Sequence, residues 1–281
     1  MSKSALAFRS LLVWSLAVFA AATLLVAAPH GLGQEPREST RPPWEGAWHW
    51  LHETQDGRLI RTENWFCGVF GAKDRPPPRG EQPTQAEAAA LFRSMPGPMC
   101  GPVNVLSATE RESVHESLSE LSAHPVNRGR RTRWHTRVEG DKMYSDVVRG
   151  DGTIRNTWSY QRLSDPGDSS LAGAWELVSD EWDGLMLMTD TEYRYVMTRK
   201  DRAPIQARPN ELTDREAAIL YHSFEAQGGA YSVRALMITR RPAISKDPRE
   251  QGREMTTEFS IDGETLTIGT ADQQLLWQRI D

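Results

Sequence analysis

Cysteine is scarce in this 281-residue chain: there are two, Cys67 and Cys100, both in the first half. Neither lies near the apolar N-terminal run, which excludes a lipid-anchored cysteine there. Basic charge is not in excess. With 33 Lys and Arg against 38 Asp and Glu, the net charge is -5, and nonspecific nucleic-acid binding, which needs a basic face to displace counterions, is excluded. The densest basic run, Arg128, Arg130, Arg131 and Arg133, reads as a solvated loop edge. No GxSxG elbow, phosphate-binding P-loop, GxGxxG or HExxH occurs, so the common hydrolase, nucleotide-binding and metallopeptidase motifs are absent. Among His49, His52, His115, His124, His135 and His222 the only close pair is His49 with His52, and a spacing of three in a strand puts them on opposite faces. No catalytic residue, metal site or cofactor is therefore assigned.

One long apolar run is present. Lys3 and Arg9 precede Leu11 to Ala28, and Pro29 to Gly33 breaks the run: a positive start, an apolar middle and a small-residue exit describe an export signal over 1–33. At 18 residues, interrupted only by Ser15 and Thr23, the run also reaches the minimum for a bilayer span, so an uncleaved N-terminal anchor is the alternative. Either way the chain is expected to be exported, periplasmic or extracellular, with membrane contact only through that segment. Residues 34–43 are polar and proline-rich and read as a tether.

The rest is a tandem repeat. WEGAWHWL at 44–51 returns as LAGAWELV at 171–178, and at the same spacing Gly57 answers Gly184, Val69 answers Val196, and Lys73-Asp74-Arg75 answers Lys200-Asp201-Arg202. Thr84 to Ala89 matches Thr213 to Ala218, and Tyr160 to Leu163 matches Trp277 to Ile280. Two units follow, 44–163 and 171–281, joined by a linker at 164–170.

Local patterning gives both units the same make-up. Alternating apolar residues mark strands at about 46–53, 58–62, 64–70, 103–107, 113–118, 133–138, 142–148 and 153–163. The second unit has them near 173–179, 185–189, 193–198, 231–240, 254–261, 265–270 and 274–280. Thr84-x-x-Glu87 and Thr213-x-x-Glu216 are capping boxes that start helices over 84–94 and 213–225. Seven or eight short strands with hairpin turns and one helix per unit describe an all-β protein of two antiparallel barrels, closed to remove their edges. In an exported domain Cys67 and Cys100 form either a disulfide or two buried small hydrophobes.

Gly46-Ala47-Trp48 with Arg162, and Gly173-Ala174-Trp175 with Arg279, resemble the lipocalin signature. The second unit is similar to the bacterial lipocalin-like domain in GAWELV, GLMLMTD, YVMTRKDRAP, TDREAAILYHSFEAQGGAYSV and LLWQRI. The resemblance implies that Trp48 and Trp175 plug one end of each barrel, with Arg162 and Arg279 across the indole faces. It also implies ligand binding. Met186, Met188, Tyr193, Tyr195, Met197, Phe224, Tyr231 and Met237 would line the second lumen, apolar and adaptable with polar tips. The first unit replaces LMLM by the polar Arg58-Leu59-Ile60-Arg61, which makes it the expected structural partner.

Three functions follow as expectations. The first is carriage of a small, mainly apolar molecule. The second is a non-catalytic interaction module whose barrels are filled. The third is a lumen isomerase or hydrolase on a lipid-like substrate, which would need a buried titratable group pointing into the cavity.

Overall fold

A computed structural model describes residues 41–205, 207–270 and 273–281. The expected export signal, and the tether up to residue 40, lie outside the described residues. Among the described residues no helix is long and apolar enough to cross a membrane.

The first barrel begins with strands β1 (Gly46–Leu51), β2 (Gln55–Arg61) and β3 (Trp65–Ala72), followed by helix α1 (Gln85–Arg93). It continues through β4 (Met99–Ala108), β5 (Glu112–Ser119), β6 (Leu121–Ser122), β7 (Arg130–Glu139), β8 (Lys142–Val148) and β9 (Ile154–Ser164). Pairing runs β3-β2-β1-β9-β8-β7-β5-β4, and a β3–β4 pairing closes the ring, with β6 as a spur on β4. The second barrel repeats the order: β10 (Gly173–Val178), β11 (Trp182–Met188), β12 (Glu192–Arg199), helix α2 (Asp214–Tyr221), β13 (Phe224–Arg234), β14 (Met237–Ser245), β15 (Met255–Asp262), β16 (Thr265–Thr270) and β17 (Gln273–Arg279). Strands β10 to β17 close on themselves in sequence order, antiparallel throughout.

Both helices start where the sequence signals them. Thr84 and Thr213 accept from the amides of Glu87 and Glu216, whose side chains bond back to the cap residues, so two orphan donors are satisfied at each start. The first ends as expected, capped at Ser94, and the second ends early. In α2 the His222 amide bonds Ala218 and Leu220 carbonyls, the chain turns, and Phe224 already belongs to a strand. The expected strand over 231–240 is two strands, β13 and β14, reversed at Ala235-Leu236. Ala235 takes φ +53° with no Gly or Asn to announce the turn.

The barrels pack as one compact unit, and they do so through equivalent faces. Ala47, Ile60, Val69, Ala88, Leu91 and Phe92 meet Ala174, Leu187, Val196, Ala217, Leu220 and Tyr221 in one buried cluster. Each residue of the first set stands at the repeat position of its counterpart. The interface is thus pseudo-two-fold, an isologous contact inside one chain, with α1 against α2 at its centre. Arg75 and Arg202 reinforce it reciprocally. The Arg75 guanidinium donates to the carbonyls of Ser245 and Lys246, and that of Arg202 donates to the carbonyls of Ser122 and Ala123. Cys67 and Cys100 face each other across β3 and β4 and form a disulfide within this cluster.

Candidate functional site

One end of each barrel is built alike. Arg162 lies 4.2 Å from the Trp48 ring centroid and Arg279 the same distance from Trp175. Each indole Nε1 donates to a carbonyl four residues upstream, Trp44 at 3.1 Å and Leu171 at 3.0 Å. Each arginine also donates to carbonyls of the entering chain, Pro43 and Glu45 in the first barrel and Ser170 and Ala172 in the second. The first strand is thereby tied to the last. Gly46 and Gly173 sit at φ +116° and +132°, and a Cβ there would come 2.5 Å from the Ser164 carbonyl oxygen and 2.4 Å from the Arg279 guanidinium.

The middles of the barrels differ. In the second, Met186, Met188, Tyr193, Met197 and Tyr231 are buried in one cluster with Trp175, Ile238, Leu266, Ile268 and Trp277, and Tyr195 packs against it. The polar tips expected to meet a ligand are used internally: the Tyr193 hydroxyl donates to Gln227 Oε1 at 2.6 Å and that of Tyr231 to the Thr189 carbonyl at 2.6 Å. Two of the eight expected lining residues do not join them. Phe224 belongs to the inter-barrel cluster, because α2 ends early and β13 begins on the face that meets the first barrel. Met237 is half-buried and, next to the inward Ile238, takes the outward parity of β14.

In the first barrel the same positions carry smaller or polar side chains. Gly46 pairs with Arg61 as Gly173 pairs with Met188, so Arg61 stands where the second barrel has Met188. By the same register, Gly68 replaces Tyr195, Val103 replaces Tyr231, His115 replaces Ile238 and Ser145 replaces Ile268. A cavity of about 70 Å3 occupies the space so vacated. Leu59, Phe66, Phe70, Val103, Met143, Trp134, Trp158 and Tyr160 make its apolar wall, and Arg61, His115, Ser117, Ser119, Thr132 and Ser145 supply the polar points. This is the mix of apolar surface and a few placed polar groups that small-molecule sites use.

Electrostatically the site is unusual. Arg61 is 3% exposed, and its Nε and Nη2 are buried without a hydrogen-bond partner. Burial pushes its pKa down to about 9, against the opposing fields of Glu45 and Tyr160. At neutral pH it remains charged. His115 is pushed down to about 2 by burial first and by the Arg61 charge second, and is neutral; its Nδ1 lies 3.4 Å from the Ser113 hydroxyl. Burial pushes the Tyr160 phenol up, so it too is uncharged. No carboxylate is among the described residues lining the cavity.

Sequence reasoning passed over Arg61, His115 and Ser145. The signal that finds them is the repeat itself: aligned position by position, the first copy loses bulk at Gly68, Val103 and Ser145 and gains polarity at Arg61, His115 and Ser145, while Trp134 and Trp158 stand where the second has Thr257 and Leu275. Of the polar strand Arg58-Leu59-Ile60-Arg61, Leu59 and Arg61 line this cavity. His49 bonds Asp56 at 3.0 Å, His52 lies beyond the end of β1, and no group of three or more His, Cys, Asp or Glu able to hold a metal is found among the described residues.

No family model matches the chain, and no curated protein matches it. Among solved structures, an uncharacterized protein from Saccharomyces cerevisiae is similar at 9% identity with a TM-score of 0.49, covering 84% of this chain and 97% of its own.

Proposed function

We propose that this chain is an exported carrier of a small, mainly apolar molecule, that its barrels are lipocalin-like, and that the ligand is held in the first barrel with the second as filled partner. The observation that carries the reading is the cavity in the first lumen at repeat positions where the second places large apolar side chains. Two barrels grown from one pattern would share one core. The first has exchanged core volume and apolar surface for a cavity and a buried charge, both of which cost stability and neither of which packing requires.

Binding is favoured over catalysis by the state of the lumen groups. A useful general acid or base has a pKa near the working pH, whereas His115 is pushed to about 2 and the Tyr160 phenol upwards. Native mass spectrometry on residues 34–281, purified without detergent and compared with the denatured sample, tests the reading. An extra non-covalent mass is expected, and Ser145→Trp, which fills the cavity, should remove it. A bare chain mass in repeated preparations would favour the interaction module with filled barrels instead.

A further inference from the structure

The ligand-carrier reading leaves open what chemistry the ligand presents, and the buried arginine addresses it. Arg61 is buried, lines the cavity and makes no hydrogen bond or ion pair with any described residue; its guanidinium lies 5.7 Å from the Trp44 ring centroid. A guanidinium is well matched to a carboxylate, and buried charges are ordinarily paired. We propose that the first barrel binds a small monocarboxylic acid, its carboxylate against the Arg61 guanidinium and its apolar or aromatic body toward Trp134 and Trp158.

The charge count selects the class. With His115 and Tyr160 neutral and no lining carboxylate among the described residues, Arg61 is the charge on the cavity wall, and the buried Glu45 already opposes part of its field, so the site suits one carboxylate and a phosphate dianion would overbalance it. The register gives the orientation. Arg61 lies opposite Gly46 on β1, at the end plugged by Trp48 and Arg162, so the acid enters head first. Toward the other end stand Trp134, whose Nε1 donates to Ser117 Oγ at 2.9 Å, and Trp158, 5.6 Å from it between ring centroids. A cavity of about 70 Å3 holds a compact body rather than a long chain, since one water alone takes roughly 10–15 Å3 on this measure.

This rests on the carrier reading, and the test separates the two. Benzoate, benzamide and toluene are nearly isosteric, and only the first is an anion at neutral pH. Calorimetric titration of the purified protein with each is expected to show benzoate at least 10-fold tighter than benzamide, with inorganic phosphate not competing. In Arg61→Met that preference should vanish while toluene still binds. Equal affinity for the three on the native protein would overturn the acid inference and leave apolar carriage standing. Displacement of benzoate by inorganic phosphate would likewise overturn the monoanion assignment. No binding of any probe, together with a bare native mass, would overturn both. The comparison among probes on the unmutated protein is decisive even if Arg61→Met fails to fold, and Arg61→Lys, which keeps the charge and loses the planar guanidinium, should retain part of the preference.

Discussion

Arg61 and Met188 occupy one barrel position with opposite chemistry, and exchanging them separates the requirements of folding from those of binding. Arg61→Met removes a buried charge that makes no hydrogen bond, at nearly constant volume, and is expected to stabilise the protein by about 1–4 kcal/mol in urea titrations. Met188→Arg places such a charge in a packed core and should cost about 3 kcal/mol or more. A loss of stability in Arg61→Met would mean that the Trp44 ring and the field of Glu45 outweigh the cost of burying the charge. His115 and His124 make stability depend on pH. Both are held neutral by burial, with pKa values pushed to about 2 and about 4 against 6.5 unfolded. Arg61 and the Ser113 hydroxyl face His115; Arg202 and the Met95 carbonyl face His124. Below pH 6.5 the unfolded chain binds protons that the fold does not, so stability falls with falling pH, by about 1.4 kcal/mol per pH unit for each histidine. The His124 contribution ends near pH 4; that of His115 continues. His115→Ile, copying the second barrel, should reduce the slope between pH 6 and 4.5 by about 1.4 kcal/mol per pH unit, and an unchanged slope would refute the assignment.

Among the elements, the helices and the loops before them illustrate what a repeated motif is for. Lys73-Asp74-Arg75 and Lys200-Asp201-Arg202 recur as local sequence, but their arginines act between barrels, each donating to the carbonyl of the last residue of a strand in the other barrel and to that of the residue after it, at the ends of β14 and β6. Charge-assisted bonds of this kind contribute about 1.5–3 kcal/mol. Arg75→Ala and Arg202→Ala should therefore each lower stability by about 2 kcal/mol and do so nearly additively, because the two clasps share no partner. Little or no effect in thermal melts would show the clasps to be incidental. Helix starts were legible from Thr84, Glu87, Thr213 and Glu216 because capping is a local hydrogen-bond exchange. The β13–β14 reversal was not, because Ala235 adopts a positive φ that no residue type announces and the surrounding pairing enforces.

For the molecule as a whole, the buried face between the barrels is the decisive feature. It is drawn equally from Ala47, Ile60, Val69, Leu91 and Phe92 on one side and Ala174, Leu187, Val196, Leu220 and Tyr221 on the other, so neither barrel alone can cover its own half. Fragments 41–163 and 171–281, expressed separately, should self-associate or precipitate, and expressed together should copurify as a one-to-one pair by gel filtration. Two independently monomeric, cooperatively melting fragments would contradict this. A disulfide inside the same layer pins β3 to β4 in the first barrel only, where the second has Arg194 and Gly228.

The repeat, the all-β class, the closed antiparallel barrels and the two capped helices are legible in the chain, since each depends on short-range periodicity, turn chemistry or self-similarity. That the cavity lies in the first lumen, and that Phe224 and Met237 lie outside the second, emerges only from packing. A strand's alternation says which residues share a face, but not whether that face meets a cavity or a neighbouring barrel. Ile60 and Arg61 are adjacent in the chain, yet one is buried between barrels and the other lines the cavity. That assignment depends on ring closure and on the pseudo-two-fold contact, both made by residues far apart in sequence.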